Sequence, residues 1–486
     1  MSAETAVRPG EALCLANFIG GRFVAPKGAA YIDDIDPATE EVMARVPDSD
    51  ATDVDAAVGA ARLAFPSWSR TPAAERSRLL LRLADRIEEN LEELARLESR
   101  DTGKPLSLAR RLDIPRAVAN FRFFATAILH DATEAHATDG AALNYTLRQP
   151  LGVAGLISPW NLPLYLLTWK IAPAVASGNA CVAKPSELTP LTANRLAELA
   201  IDAGIPPGVI NIVHGRGPKA GEAIVAHPSV TAISFTGGTA TGARVAATAA
   251  PLFKKLSLEL GGKNPNIVFA DADLDEAITT SIRSSFWNQG EICLCGSRIF
   301  VERAVHTEFV DRFVAEAGKL RIGDPLDETT DIGALISEAH LRKVTGYIEL
   351  AKREGGSIAT GGRRVDRRGW FVEPTVITGL GCDCRVLQEE IFGPVVTITP
   401  FDREEEAIAF ANSTRYGLAA SLWTRDLQRA HRVAAAIDCG TVWINCWLLR
   451  DLRVPFGGMR DSGIGREGGF DSLRFFTEAK NVCVKL

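Results

Sequence analysis

From Gly152 onward the sequence alternates short apolar runs with helical patterns. Residues 153–157, 180–183, 210–213 and 232–235 read as strands, and 169–176, 193–203, 221–226 and 242–250 as the helices between them. This alternation is the strongest constraint on the fold, because crossover helices are what parallel strands require. A second series with strands at 267–269, 298–301 and 395–400 repeats the style to about Asn445. The expectation is an α/β protein with two doubly wound lobes meeting near Leu256 to Lys263. A chain of 486 residues is long enough to give each lobe its own core.

Before these lobes lie helical patterns at 53–65 and 73–99, and the stretch 137–149 looks like an exposed ribbon. The chain ends on a β-like run, 479–486. Ribbons and terminal strands leave open edges, and open edges pair, so a homodimer or homotetramer is expected. The stretch 151–183 is apolar with one charge, Lys170, but Pro159, Asn161, Pro163, Pro173 and Asn179 interrupt it. No unbroken span of the roughly 20 apolar residues that a membrane helix needs is left. The net charge of −6 and the lack of a Lys/Arg block argue against nucleic acid or an anionic membrane as partner and favour a small molecule. Nine scattered cysteines and no leader pattern predict reduced thiols and a cytoplasmic location. Cys293/Cys295 and Cys382/Cys384 are C-x-C pairs without a nearby His or second thiol pair at zinc spacing, so no metal is expected.

Four segments carry chemistry. Cys293 sits between Gly290 and Gly296 just ahead of a strand, where glycines let backbone approach a ligand and expose a sulfur at a turn. A small buried apolar cysteine is the competing reading. Glu259, in Leu258-Glu259-Leu260-Gly261-Gly262-Lys263, has apolar neighbours that should desolvate it and suit it to accept a proton near neutral pH. The alternative is an ion pair with Lys263 or Lys255. Asn161, between Pro159 and Pro163, could donate an amide hydrogen bond to a developing oxyanion or could simply form a turn. Finally, Lys184 and Glu187 end a strand where doubly wound sheets bind nucleotides, and Phe235-Thr236-Gly237-Gly238 opens a helix whose amides could face a pyrophosphate. A Glu at the adenosine ribose would repel a 2′-phosphate and so favours NAD over NADP.

Taken in order, Pro159-Trp160-Asn161, Lys184-Pro185-Ser186-Glu187, Phe235-Thr236-Gly237, Glu259-Leu260-Gly261-Gly262-Lys263, the Cys293 segment, Glu389-Glu390-Ile391-Phe392-Gly393-Pro394 and Pro455-Phe456-Gly457-Gly458 resemble the aldehyde dehydrogenase superfamily. The match runs from about Phe18 to Lys485. It implies an α/β, aldehyde dehydrogenase-like fold: two doubly wound Rossmann-type lobes plus a small β oligomerisation ribbon. Residues 1–127 and 147–257 would form the NAD-binding domain, 258–468 the catalytic domain, and 128–146 with 469–486 the bridging strands. It further implies that Cys293 attacks an aldehyde, that Asn161 and the Cys293 backbone N–H hold the thiohemiacetal oxyanion, and that Glu259 deprotonates the water that releases the acid. Ile157, Ser158, Trp160, Lys184, Ser186, Glu187, Phe235, Thr236, Gly237, Gly238, Leu260, Glu390 and Phe392 would contact NAD. Two departures stand out: Gly238 replaces a Ser that many relatives carry, and Ile292 and Leu294 flank the nucleophile in place of polar or cysteine neighbours.

Within that superfamily the chain resembles the 2-aminomuconic and 2-hydroxymuconic semialdehyde dehydrogenases, through Leu143-Asn144-Tyr145-Thr146, Ile114-Pro115-Arg116, Asn120-Phe121-Arg122-Phe123-Phe124, Trp160 to Leu166 and Asn445 to Asp451. Such substrates carry carboxylates, which arginine matches in a planar, bidentate fashion. Arg116 and Arg450 are the candidates, with Arg453 in reserve; Leu162, Leu166, Trp169 and Trp447 are expected to supply apolar walls. Local pairing of Arg450 with Asp451, or a solvated Arg116 near Asp113, is the plainer alternative. A neutral or cationic aldehyde such as betaine aldehyde, and a catalytically idle binding or structural protein, are the other readings.

Overall fold

A computed structural model describes residues 12–486, and two sheets organise it. The first has eight strands in the order Gly463–Ile464, Lys255–Glu259, Val230–Thr236, Val153–Ile157, Ala180–Lys184, Ile210–Ile212, Asn17–Ile19, Arg22–Val24. Its five central strands are parallel. The chain winds outward from Val153–Ile157 in one direction and then restarts beside it at Val230–Thr236. That reversal is the switch point at which doubly wound sheets leave a crevice outside the strands' carboxyl ends. The second sheet runs Ser357–Thr360, Thr375–Thr378, Val395–Phe401, Arg298–Glu302, Pro265–Val268, Ala419–Trp423, Thr441–Ile444, parallel except at Ser357–Thr360.

Central strands such as Val153–Ile157 and Ala180–Lys184 are buried at every position, because helices cover both faces of the sheet. The apolar stretch 151–183 therefore resolves into a strand, the helix Pro163–Ala176 and a second strand. Among the described residues no helix is long and apolar enough to cross a membrane.

The single helix expected over 73–99 is two helices, Ala73–Glu89 and Leu91–Thr102, because Asn90 leaves helical geometry at φ −106° and ψ 21°. The second stops at Gly103, where φ is +77° and a Cβ would come within 2.6 Å of the Ala334 carbonyl oxygen. The ribbon and the chain end form one antiparallel sheet, Thr477–Lys485 with Ala142–Pro150 and then Ala135–Thr138. Two stretches depart from the expected boundaries. Gly463–Ile464, within the span assigned to the catalytic domain, pairs with Lys255–Glu259 in the first sheet. Gly469–Phe475, assigned to bridging strands, is a helix. Residues 1–11 of the expected NAD-binding domain lie outside the described residues.

On the first lobe's side of the seam, next to the Ala334 N–H that donates to the Gly103 carbonyl at 2.9 Å, Lys104 and Asp113 make an ion pair with both side chains fully buried, and Lys104 Nζ also donates to the Asn161 carbonyl at 2.9 Å. Removing one partner of such a pair leaves an uncompensated buried charge, at a cost of about 3–5 kcal/mol. Lys104→Met is expected to lower the unfolding free energy by about that much in urea titration. A loss under about 1 kcal/mol would mean that the pair does not anchor this seam.

Candidate active site

The site lies where the carboxyl ends of Val153–Ile157 and Val230–Thr236 face the amino ends of Pro265–Val268 and Arg298–Glu302. Residues 260–264 cross from one sheet to the other, and Cys293 lies on the loop that enters Arg298–Glu302. That loop is reached through three successive left-handed residues: Asn288 at φ 51°, Gln289 at 55° and Gly290 at 72°. Left-handed geometry is costly for residues with a Cβ and persists only when the surroundings impose it. Here they do. The Asn288 carbonyl accepts the Glu291 N–H at 2.8 Å, Gln289 Nε2 donates to the Ala334 carbonyl at 3.1 Å, and a Cβ on Gly290 would lie 2.2 Å from the Gly393 carbonyl oxygen; further on, Asn264 Nδ2 donates to the Cys293 and Cys295 carbonyls at 2.7 and 2.9 Å, and Trp447 Nε1 to the Leu294 carbonyl at 2.9 Å.

Asn161 Nδ2 donates to the Glu291 carbonyl at 2.8 Å, and Asn288 Nδ2 donates to both the Asn161 and Glu291 carbonyls at 3.1 Å. The amide is thus fixed through one N–H, leaving its second for an acceptor in the cavity. The half-buried Cys293 thiol is pushed up to about 12 by burial, with Glu259 and Glu390 adding to the rise and Arg450 opposing it. A neutral thiol must lose its proton before it can attack, so the site needs a base.

A buried carboxyl, Glu259, lines the same cavity as Cys293. It ends the strand Lys255–Glu259, is 5% exposed, and neither of its oxygens has a hydrogen-bond partner. Burial first, then the neighbouring Glu467, hold its carboxyl well above the usual range, with Lys170, Arg450 and Arg466 opposing. The expected alternative pairings are not made: Lys255 Nζ donates to the Thr477 carbonyl at 2.8 Å, and the buried Lys263 Nζ has no partner.

A small apolar cavity of about 40 Å³ touches Cys293 and Glu259. Leu162, Leu166, Trp169, Arg116 and Arg450 line it as expected, together with Ile292 and Leu294. Arg116 lies over the Tyr165 ring at 5.7 Å, and Arg450 over Phe456 at 3.9 Å and Trp169 at 5.5 Å. The local pairing considered for Arg450 does not occur, since Asp451 is taken by Arg453, and Arg116, considered as a solvated residue near Asp113, is half-buried on the cavity while Asp113 is taken by Lys104. The Asp451–Arg453 pair corrects the reserve candidate: the Arg453 guanidinium sits 79% exposed, 2.5 Å from Asp451, and does not line the cavity. Trp447 is corrected too. It packs behind the Cys293 loop with Trp443 and Phe456 and supports the wall from outside. Tyr165, on the same helix face as Trp169, is a lining residue that sequence reading missed.

On the opposite side of Cys293 a hollow of about 240 Å³ is lined by Trp160, Asn161, Thr236, Gly237, Gly238, Leu260, Glu390 and Phe392. Glu390 Oε1 accepts the Gly262 N–H at 3.0 Å. Further along, a cleft of about 440 Å³ is lined by Ile157, Glu187 and Phe235. Lys184 Nζ lies beneath it, donating to Glu187 Oε2 at 3.1 Å; Ser186 Oγ accepts the Leu188 N–H at 3.2 Å, and the buried Ser158 hydroxyl is unpartnered. Between the two hollows Gly238 caps the helix Thr239–Ala249, and the buried hydroxyls of Thr236 and Thr239 have no partner. A helix N-terminus flanked by orphaned donors and bounded by two hollows fits a dinucleotide whose phosphates sit in the middle. A Cβ at Gly238 would meet nothing within 4 Å, so sterics alone do not require glycine there. His340 and Lys343, from the helix Glu338–Arg353, also line the 240 Å³ hollow and were not anticipated.

The family model described as "Aldehyde dehydrogenase family" matches residues 23–482. The chain is 57% identical over 482 residues to a 2-aminomuconic semialdehyde dehydrogenase of Danio rerio, covering 97% of this chain and 98% of that protein. It is 50% identical over 483 residues to a 2-hydroxymuconic semialdehyde dehydrogenase of Pseudomonas sp. (strain CF600), covering 97% and 99%. Among solved structures, the NAD+ complex of an aldehyde dehydrogenase from Bacillus cereus superposes with a TM-score of 0.96 at 44% identity, over 98% of this chain and 97% of that one.

Proposed function

The chain belongs to the aldehyde dehydrogenase family, whose NAD-dependent oxidation of aldehydes it shares, and on that premise we propose that its substrate is a short, conjugated semialdehyde bearing a carboxylate. 2-Aminomuconate 6-semialdehyde and 2-hydroxymuconate 6-semialdehyde, named for the relatives' substrates, fit that description. The observation that carries the proposal is the pair of guanidiniums, Arg116 and Arg450, set into a largely apolar wall around Cys293 that also holds the Glu259 and Glu467 carboxyls. A charged group in such a wall is held at a desolvation cost, and a carboxylate offsets it. A cationic aldehyde would meet two like charges, and the faces of Trp169 and Phe456 that might cage it are already covered by Arg450.

In this reading the Cys293 thiol loses its proton to water, its sulfur bonds to the aldehyde carbon, and the carbonyl π electrons move onto the oxygen. The free N–H of Asn161 and the Cys293 backbone N–H hold the oxyanion. NAD held in the two hollows would supply the acceptor for the hydride that leaves that carbon. Glu390 and Phe392 then orient the nicotinamide end, Thr236 to Gly238 the pyrophosphate, and Lys184 and Glu187 the adenosine ribose. Glu259 takes a proton from the water that attacks the thioester, the carbon–sulfur bond breaks, and the acid leaves. We also propose that the sheet built on Ala142–Pro150 joins copies of the chain into a homodimer or homotetramer, since its edge strand Ala135–Thr138 is fully exposed.

Arg450→Ala is the direct test. KM for a carboxylate-bearing semialdehyde should rise about 10- to 100-fold, as expected for losing a charged hydrogen bond. KM for a neutral aldehyde of similar size should stay as in the parent. Equal effects on the two substrates would sink the clamp.

A further inference from the structure

His340 has no part in the chemistry above, yet three parts of the site converge on it. It stands in the first turn of the helix Glu338–Arg353, with its backbone N–H donating to the capping Ser337 Oγ at 3.2 Å, so its base is fixed. Its ring lies 5.3 Å from Trp160 and 6.3 Å from Phe392, and Trp160 in turn lies 5.3 Å from Phe392 at 88°. Nε2 is 2.6 Å from the Phe392 carbonyl oxygen. A carbonyl only accepts, so Nε2 carries the proton. The same nitrogen is 3.6 Å from Glu291 Oε1.

Phe392 needs such a tether. Its φ of 63° is left-handed, which a residue with a side chain adopts only when its surroundings over-determine it. The next residue, Gly393, is clamped on both sides: a Cβ on it would lie 2.6 Å from Val344 Cγ2, and a Cβ on Gly290 would lie 2.2 Å from its carbonyl oxygen. Glu291 continues the link, because its backbone carbonyl is the acceptor that orients Asn161 and its Oε1 accepts the Ile336 N–H at 3.2 Å.

We propose that His340 is a positioning residue for the nicotinamide end of the cofactor, holding the left-handed turn at Phe392 and keeping it in register with the Glu291 loop that aims the Asn161 amide. This rests on the reading that Glu390 and Phe392 hold the nicotinamide riboside. With the tether gone, Phe392 is free to relax to negative φ and carry the neighbouring Glu390 carboxylate out of place. The aldehyde cavity, which His340 does not line, is left intact.

The test compares His340→Ala, His340→Asn and His340→Gln by NAD titration of tryptophan fluorescence and by separate KM values for NAD and aldehyde. A glutamine amide N–H can reach the place of imidazole Nε2, whereas asparagine is too short. The Ala and Asn variants should raise the NAD Kd about tenfold, the worth of one buried hydrogen bond, with aldehyde KM unchanged and Gln restoring parental affinity. An NAD Kd unchanged in the Ala variant, a Gln variant no better than Asn, or NAD and aldehyde KM rising together would each overturn the proposal. If the Ala variant does not fold, Gln against Asn decides alone. Glu390→Ala separates the two layers: raised NAD Kd there with unchanged Kd in His340→Ala removes His340 only, while unchanged Kd in both removes the Glu390 reading and this inference with it.

Discussion

With Cys293 replaced by alanine, NADH formation is expected to fall by about 10⁴-fold or more with every aldehyde tested, while NAD still binds. The loop that carries Cys293 is held by Asn264 and Trp447 through backbone carbonyls, so removing the sulfur leaves its frame in place. The hollow on the cofactor side is bounded mostly by other residues. Stopped-flow absorbance for NADH and a fluorescence titration for NAD check both halves. Substantial residual turnover would remove Cys293 from the nucleophile's role, and loss of NAD binding would show that the substitution had disturbed the frame instead.

The second large effect is expected from Glu259→Gln, which keeps the side chain's size and removes its basicity. If Glu259 serves the hydrolytic half-reaction, the variant should release a rapid burst of NADH and then stall as a thioester, with steady-state turnover lower by about 10²–10⁴. The sign of the pH dependence follows from the carboxyl's surroundings. Burial and Glu467 favour its neutral form, so the basic form is populated only as pH rises beyond the ordinary carboxylate range. Parental kcat should therefore climb with pH through that region, and the burst-phase variant should lose the climb. If the burst disappears as well, Glu259 acts before hydride transfer, as the acceptor of the Cys293 proton.

The alternation of strands and helices was legible because parallel strands buried on both faces read as continuous apolar runs, such as Ala180–Lys184. The break at Asn90 was not, since the apolar spacing runs on across it and only the backbone turns. In the sequence Asn161, Glu259 and Cys293 stood out through nearby prolines or glycines, and the fold buries Asn161 and Glu259 where local sequence suggested accessible turns. Choosing among the arginines was not a local matter. Asp451 adjoins Arg450 and stands two residues from Arg453 in sequence, yet it captures Arg453 while the rings of Phe456 and Trp169 draw Arg450 inward. Trp447 was misassigned as a cavity wall for the same reason, adjacency in sequence standing in for direction in space. His340 and Lys343 were hidden on an ordinary amphipathic helix whose buried stripe is Leu341, Val344 and Ile348, and whose polar face gives no sign that part of it meets the hollow.

The short strand Gly463–Ile464 has a mechanical meaning. The chain crosses the seam between the lobes once at residues 260–264 and returns to the first sheet at Gly463–Ile464, laying that strand against Glu259 itself. Two crossings of the seam, one of them at the Glu259 strand, tie the two lobes together at separate points of the chain beside the site.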